Sequence, residues 1–220
     1  MSSDMDVEYP VITPGIAIGP RRLSPINGSV GLIVRYHEKE MILSCYHVLV
    51  GDAQFKVGDE IGQPSTSGNI VGRLWPEFAL TAKADFALAE IVNRKASNQV
   101  QGHNIRITKF ADEAYIRDLK NSGKRVTKRG TASGVTHGKI VDLGVSTKVN
   151  YPGIDQTIML NGQIQIQGNS PPFSAGGDSG APVFDDTGVI IGLIVGGVTE
   201  FSFATPIYYL LEVLEGITIL

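Results

Sequence analysis

The stretch Phe173-Ser174-Ala175-Gly176-Gly177-Asp178-Ser179-Gly180-Ala181-Pro182-Val183-Phe184 sets one small nucleophile beside an acid, adds glycines on both sides and then enters an apolar strand. Glycines at 176, 177 and 180 allow backbone conformations closed to residues with side chains, so amide N–H groups can converge next to the Ser179 hydroxyl. An oxyanion would form at that point, and the stretch reads as the nucleophile loop of a serine hydrolase. The bland alternative is a tight turn in a β-rich protein. A serine hydroxyl is a poor nucleophile near neutral pH, so the functional reading requires a general base and an acid that orients it.

Four histidines are available, at 37, 47, 103 and 137. His47 ends the apolar run Met41-Ile42-Leu43-Ser44-Cys45-Tyr46, a rigid edge from which a base can project into a cleft. His37 lies in the charged turn His37-Glu38-Lys39-Glu40, where a solvated role is the simpler expectation, and His103 sits in a polar loop without a neighbouring motif. His137, within Gly134-Val135-Thr136-His137-Gly138, is ambiguous. For the acid, Asp85 precedes the apolar strand Phe86-Ala87-Leu88-Ala89-Glu90-Ile91, where a buried carboxylate is costly unless hydrogen-bonded. Asp52 and Asp178 are rivals, although a residue adjacent to the serine reaches the far side of an imidazole poorly.

The segments Leu43-Ser44-Cys45-Tyr46-His47, Ala84-Asp85-Phe86-Ala87-Leu88 and Gly177-Asp178-Ser179-Gly180-Ala181-Pro182-Val183 occur in that order. Together they resemble a chymotrypsin-fold, trypsin-like serine protease, nearest to the intracellular bacterial-type peptidases. Two further segments agree: Gly130 to Gly138 resembles the Gly-Thr-rich opening of the second barrel, and Ile191 to Gly197 with Phe203-Ala204-Thr205-Pro206 resembles the late strands leading to a C-terminal helix. The resemblance implies an all-β fold of two six-stranded antiparallel β-barrels with a C-terminal helix. It divides the chain into an irregular arm at 1–25, a first barrel at 26–110 carrying the histidine and aspartate, and a second at 111–220 carrying the serine. It makes Ser179 the nucleophile, His47 the base and then acid, Asp85 the orienter, and the Gly177 and Ser179 N–H groups the oxyanion hole. Asp178 would hold the loop in its active conformation, and the Gly196-Gly197 edge would pair with the substrate backbone.

The chain departs from secreted relatives. It has one cysteine, Cys45, so no intrachain disulfide forms, and it lacks the cleavage signature whose new N-terminus inserts near the acid before the serine. Activation by a protein partner, by self-processing or by substrate is expected instead, with an activating or inhibiting partner among the candidates. Phe173 stands six before the nucleophile, where trypsin-like members carry an acidic pocket floor, and Ile194 stands where glutamate-specific relatives carry a histidine. A small or apolar side chain is therefore expected in a pocket drawn from Phe173, Val195, Gly196, Gly197 and Ser202. The alternative to an active endopeptidase is a silent trypsin-like module that holds a peptide or partner without cutting it; an esterase on the same parts is a third reading.

Composition sets the outer limits. The 220 residues are 42% hydrophobic, enough for a sizeable core, and the net charge of −3 gives no overall footprint for nucleic acid. The run Lys124-Arg125-Val126-Thr127-Lys128-Arg129 reads as a solvated strand or turn rather than a polyanion site. The longest apolar run, Val189 to Val198, falls well short of the ~20 residues of a membrane helix. The first ten residues lack a signal-like core, which with the single cysteine leads to an expected cytoplasmic location. No membrane, nucleic-acid or cofactor partner is expected, only a polypeptide substrate. No His/Cys/Asp/Glu cluster has metal-ligand spacing, and Gly134 to Lys139 misses the phosphate-loop pattern by one residue and a hydroxyl.

Strands are expected at Val30–Tyr36, Met41–Cys45, Asn69–Leu74, Phe86–Val92, Lys139–Val145 and Val189–Val195, from short β-branched runs between turn residues. Thr157 to Leu160 and Gln163 to Ile166 flank Asn161-Gly162, a pair favoured in two-residue hairpins. Leucine and isoleucine spacing predicts a helix over Pro206–Glu215, and the polar segment Val92 to Lys124 is the expected crossover between the two halves.

Overall fold

A computed structural model describes residues 4–23, 28–64, 68–150, 157–169 and 172–220. The chain makes two antiparallel β-barrels. In the first, the order runs Ala17–Pro20, Glu60–Gln63, Asn69–Leu80, Asp85–Ile91, Lys39–Ser44 and Leu32–Tyr36. The ring closes because Gly28–Ser29, immediately ahead of Leu32–Tyr36, pairs back with Ala17 and Ile18. In the second, Arg125–Gly130, Gly134–Asn150, Thr157–Gly168, Phe201–Pro206, Val189–Gly197 and Pro182–Phe184 pair in sequence, and the last returns to Arg125–Gly130. Closure pairs every stave on both sides and removes the exposed edges that an open sheet would present.

Residue type explains the barrel interiors. Leu32, Ile33, Val34, Met41, Ile42 and Leu43 are fully buried, and Phe86, Ala87, Leu88 and Ala89 bury both faces of Asp85–Ile91, the stave between two long neighbours. Between Lys39–Ser44 and Leu32–Tyr36 the chain reverses through His37 and Glu38, both at positive φ (48° and 60°), the geometry of a tight two-residue hairpin. His37 is thus a turn residue, its side chain 60% exposed.

Three expectations need correction, and the crossover holds a helix that was not expected. Asn161-Gly162 is not a hairpin turn: Thr157–Gly168 is one strand, and the register against Gly134–Asn150 slips by a residue between Val145↔Gln163 and Thr147↔Leu160. Gly162 at φ +73° therefore sits at a bulge; the connection back to Gly134–Asn150 lies at 151–156, outside the described residues. The polar crossover contains a helix, Glu113–Ser122, whose N-cap Asp112 accepts from the Tyr115 N–H and whose C-cap Gly123 is left-handed. The C-terminal helix is shorter than expected, Tyr208–Val213, after which Thr218–Ile219 pairs with Val34 and Arg35 of the first barrel. Within the arm expected to be irregular, Ala17–Pro20 is a fully buried stave and Val11–Ile12 pairs in parallel with Lys95–Ala96.

Leu43 lies on the first barrel's central hairpin with no exposed surface. Leu43→Ala is expected to lower unfolding free energy by about 2–5 kcal/mol through lost burial and a residual cavity, measured by urea denaturation.

Candidate active site

The strand Lys39–Ser44 ends at Cys45, and Tyr46–Leu49 forms a single helical turn that carries His47 to the barrel rim. Asp85 opens the adjacent stave, level with Leu80 on one side and two residues before the Ser44↔Ala87 pair on the other. Its fully buried carboxylate meets His47 twice: Oδ2 lies 2.6 Å from Nδ1, and Oδ1 accepts the His47 backbone N–H at 3.3 Å. A carboxylate can only accept, so Nδ1 carries the hydrogen and Nε2 is the basic nitrogen of the neutral ring.

The turn Ala175 to Asp178 is closed by the Asp178 N–H donating to the Ala175 carbonyl (3.0 Å), with Gly177 at φ +103°. Only glycine adopts that φ without strain. Among the described residues, neither the Gly177 N–H nor the Ser179 N–H has an acceptor. Ser179 is half-buried, and its carbonyl accepts from the Ser29 N–H at 2.8 Å. A Cβ on Gly28 would collide with Val48 and lie 2.9 Å from the Ser179 carbonyl oxygen. The bare glycine thus brings the serine's backbone against the turn that carries His47.

Asp178 is the best-connected side chain of the loop. Oδ1 accepts from the N–H groups of Ala132 (2.9 Å) and Ser133 (3.1 Å); Oδ2 accepts from Ala175 N–H (3.0 Å), Lys128 Nζ (2.9 Å) and the Ser133 hydroxyl. Lys128 and Asp178 side chains are both 0% exposed. The other Lys128 donors go to Ser133 Oγ and the Gly134 carbonyl, so all three ammonium hydrogens are placed. Burial pushes the Asp178 carboxyl up, but Lys128 and the converging donors outweigh it and hold it below the ordinary carboxylate range. Burial also lowers Lys128, which Asp178 opposes. The expectation of a solvated basic run is therefore corrected: Arg125–Gly130 is a barrel stave, and its Lys128 and Arg129 are buried.

Beside Ser179 lies an open cleft of ≈ 390 Å³ whose walls include Ser174, Ala175, Ile194, Gly196 and Gly197 and no charged side chain among the described residues. Gly196 and Gly197 line it, whereas Phe173, Val195 and Ser202 are buried and are not among its walls. Phe173 packs against Gly138, and its carbonyl accepts from Thr136 Oγ1 at 2.6 Å. The Ser202 hydroxyl lies 2.7 Å from that of Ser174, which does line the cleft. Sequence reading missed Ser174 and Lys128. The signal for Lys128 is its phase with Val126, two residues apart on a strand and hence on one face.

The remaining candidates lie elsewhere. His103 packs edge-on against Phe184, and His137 Nδ1 is 3.0 Å from Thr127 Oγ1, its basicity lowered by burial and by Arg125. Asp52 pairs with Arg22. Cys45, His47 and Asp85 bring donor atoms within 4.8 Å of one another. Burial and Asp85 raise the Cys45 thiol well above its usual range and Sγ donates to the Ile194 carbonyl at 3.3 Å, so it offers a neutral thiol, a poor metal ligand. No helix among the described residues is long and apolar enough to cross a membrane.

No protein-family model matches the chain, and no curated protein sequence does. Solved structures do. Protease A of Thermobifida fusca superposes with a TM-score of 0.69 at 18% identity, over 96% of this chain and 98% of that one. A glutamic acid-specific serine protease gives 0.70 at 17%, over 95% and 100%, and Cellulomonas bogoriensis chymotrypsin 0.66 at 17%, over 95% and 98%. The chain has the chymotrypsin fold of serine proteases, matched along nearly its whole length.

Lys128→Met would leave Asp178 buried without its cation, a loss of about 3–5 kcal/mol at neutral pH. The pH dependence gives a signature. In the parent chain the depressed Asp178 contributes stability above the ordinary carboxylate value of about 4, lost as pH falls through its lower folded value. In the variant, protonation relieves the buried charge, so the stability gap should narrow on acidification; a gap constant from pH 7 to 4 would contradict the assignment.

Proposed function

We propose that the chain is a serine endopeptidase that hydrolyses peptide bonds through an acyl-enzyme, with Ser179, His47 and Asp85 as its triad. The observation that carries this is the two-point clasp of His47 by buried Asp85, beside a cleft lined by Ser179, where neither the Gly177 nor the Ser179 N–H has an acceptor among the described residues. In this reading the Ser179 oxygen attacks the scissile carbonyl carbon while His47 Nε2 takes its proton. Asp85 accepts from Nδ1–H and stabilises the imidazolium. The oxyanion accepts from the Gly177 and Ser179 N–H groups, each donor worth on the order of 10²–10³ in turnover. His47 then protonates the leaving amine, and water enters by the same steps in reverse to free Ser179.

Substrate backbone would add to the Gly196-Gly197 edge as an extra strand, which gives affinity with little side-chain choice. The cleft supports a small or apolar side chain before the cleaved bond, since among the described residues its walls offer no counter-ion to Arg, Lys, Glu or Asp. Lys128 supplies Asp178 with an internal cation, which supports activity without an inserted N-terminal amine. A single buried thiol fits a reducing, cytoplasmic setting.

Peptide-library cleavage tests the reading. Cuts after Ala, Val, Thr or similar residues are expected, with Ser179→Ala reducing the rate by about 10⁴-fold or more. Cleavage confined to charged residues would overturn the pocket reading, and cleavage unaffected by Ser179→Ala would overturn the mechanism.

A further inference from the structure

We propose that Asp4 and Met5 are positioning residues for the oxyanion hole, holding Gly177 from outside the loop. This rests on the serine-hydrolase reading above. The segment after Asp4 is rooted in the first barrel. Gln63 bonds the Val7 carbonyl (2.8 Å) and the Tyr9 N–H (3.0 Å), Arg94 clasps Glu8 (2.8 Å) and the Tyr9 carbonyl, and Val11–Ile12 pairs with Lys95–Ala96. The single 3₁₀ turn Asp4–Asp6 reaches across to the second barrel.

Three of its contacts matter there. The Asp4 N–H donates to the Thr131 carbonyl at 3.3 Å, and its carboxylate accepts from Arg129 Nη2. Arg129 is 4% exposed and spends its other donors on the carbonyls of Gly15 (2.9 Å), Gln101 (3.2 Å) and Gly130, so the ion pair is fixed in place. Third, Met5 covers Gly177: a Cβ built there would lie 2.6 Å from Met5 Cε and 3.2 Å from Ala132 Cβ. The Gly177 carbonyl is held in turn by Ser29 Oγ (3.2 Å), which also accepts the Thr131 N–H (3.0 Å).

Gly177 needs such support. Without a side chain it has the widest conformational choice of any residue, and rotation of its peptide is the easiest way to turn its N–H out of the hole. Met5 and Ala132 occupy the space into which the glycine would move, and the Asp4–Arg129 pair holds Met5 there. The turn Asp4–Asp6 buries none of its own residues. The clamp therefore depends on these contacts and adds little to the core.

The test compares Met5→Ala, Asp4→Asn and their double variant with the conservative Met5→Leu and with Val7→Ala, an exposed control. Two readouts are taken: kcat and KM on a chromogenic peptide ending in alanine, and hydrogen–deuterium exchange of the peptide spanning 172–180. The double variant should lose about tenfold in kcat, a fraction of what losing a whole donor costs, with KM within about twofold. Its loop amides should exchange faster, and Met5→Leu should restore most of both. Wild-type kcat together with unchanged loop exchange would overturn the proposal. If the parent chain hydrolyses nothing, the serine-hydrolase reading fails by itself, and unchanged exchange would then count separately against the clamp.

Discussion

The Lys128–Asp178 pair is the constraint on which the loop around Ser179 depends. Two opposite charges without solvent exposure are tolerable only when each is fully hydrogen-bonded, because desolvation of either ion alone costs several kcal/mol. Every ammonium hydrogen and every carboxylate lone pair is engaged, and the partners span three segments: the stave Arg125–Gly130, the bend at Ala132 and Ser133, and Ala175 within the loop itself. Asp178 cannot move without stranding a charge. Ser179 follows it directly, and Gly177 precedes it, so one buried ion pair fixes the backbone on both sides of the proposed nucleophile.

The two barrels contribute different parts. The first presents His47 on a helical turn and Asp85 at the start of a stave, each position set by strand pairing. The second presents the loop. The junction depends on Gly28 and Ser29, which close the first barrel, bond the Ser179 carbonyl and brace Gly177. The same residues that complete one barrel's hydrogen bonding thus hold the Ser179 backbone against the turn that carries His47, which links stability of the first barrel to the geometry of the cleft.

Much of this was legible in the chain. Ordered motifs around His47, Asp85 and Ser179 pointed to the fold, and His47 and Asp85 do meet, because an aspartate opening an apolar strand must find a donor. Other features were hidden because they depend on tertiary partners. Lys128 looked solvated amid a basic run; only the closed barrel turns it inward to a carboxylate fifty positions later. Asn161-Gly162 carries hairpin chemistry, yet the neighbouring strand continues past it and the positive φ is absorbed as a bulge. Phe173 was assigned to the pocket by counting from the serine, but its bulk belongs behind the wall, where Ser174 faces the cleft and Ser202 supports it. Register in sequence does not fix which side chain faces a cavity when the loop before it bends.

The most direct measurement is intact and peptide-level mass spectrometry of the purified, untrimmed chain after reaction with a fluorophosphonate. The account predicts one adduct, located on Ser179, absent from Ser179→Ala and strongly slowed in His47→Ala and Lys128→Met, with the N-terminus unchanged. An untrimmed chain that takes up no label, or one labelled equally well without His47, would contradict it.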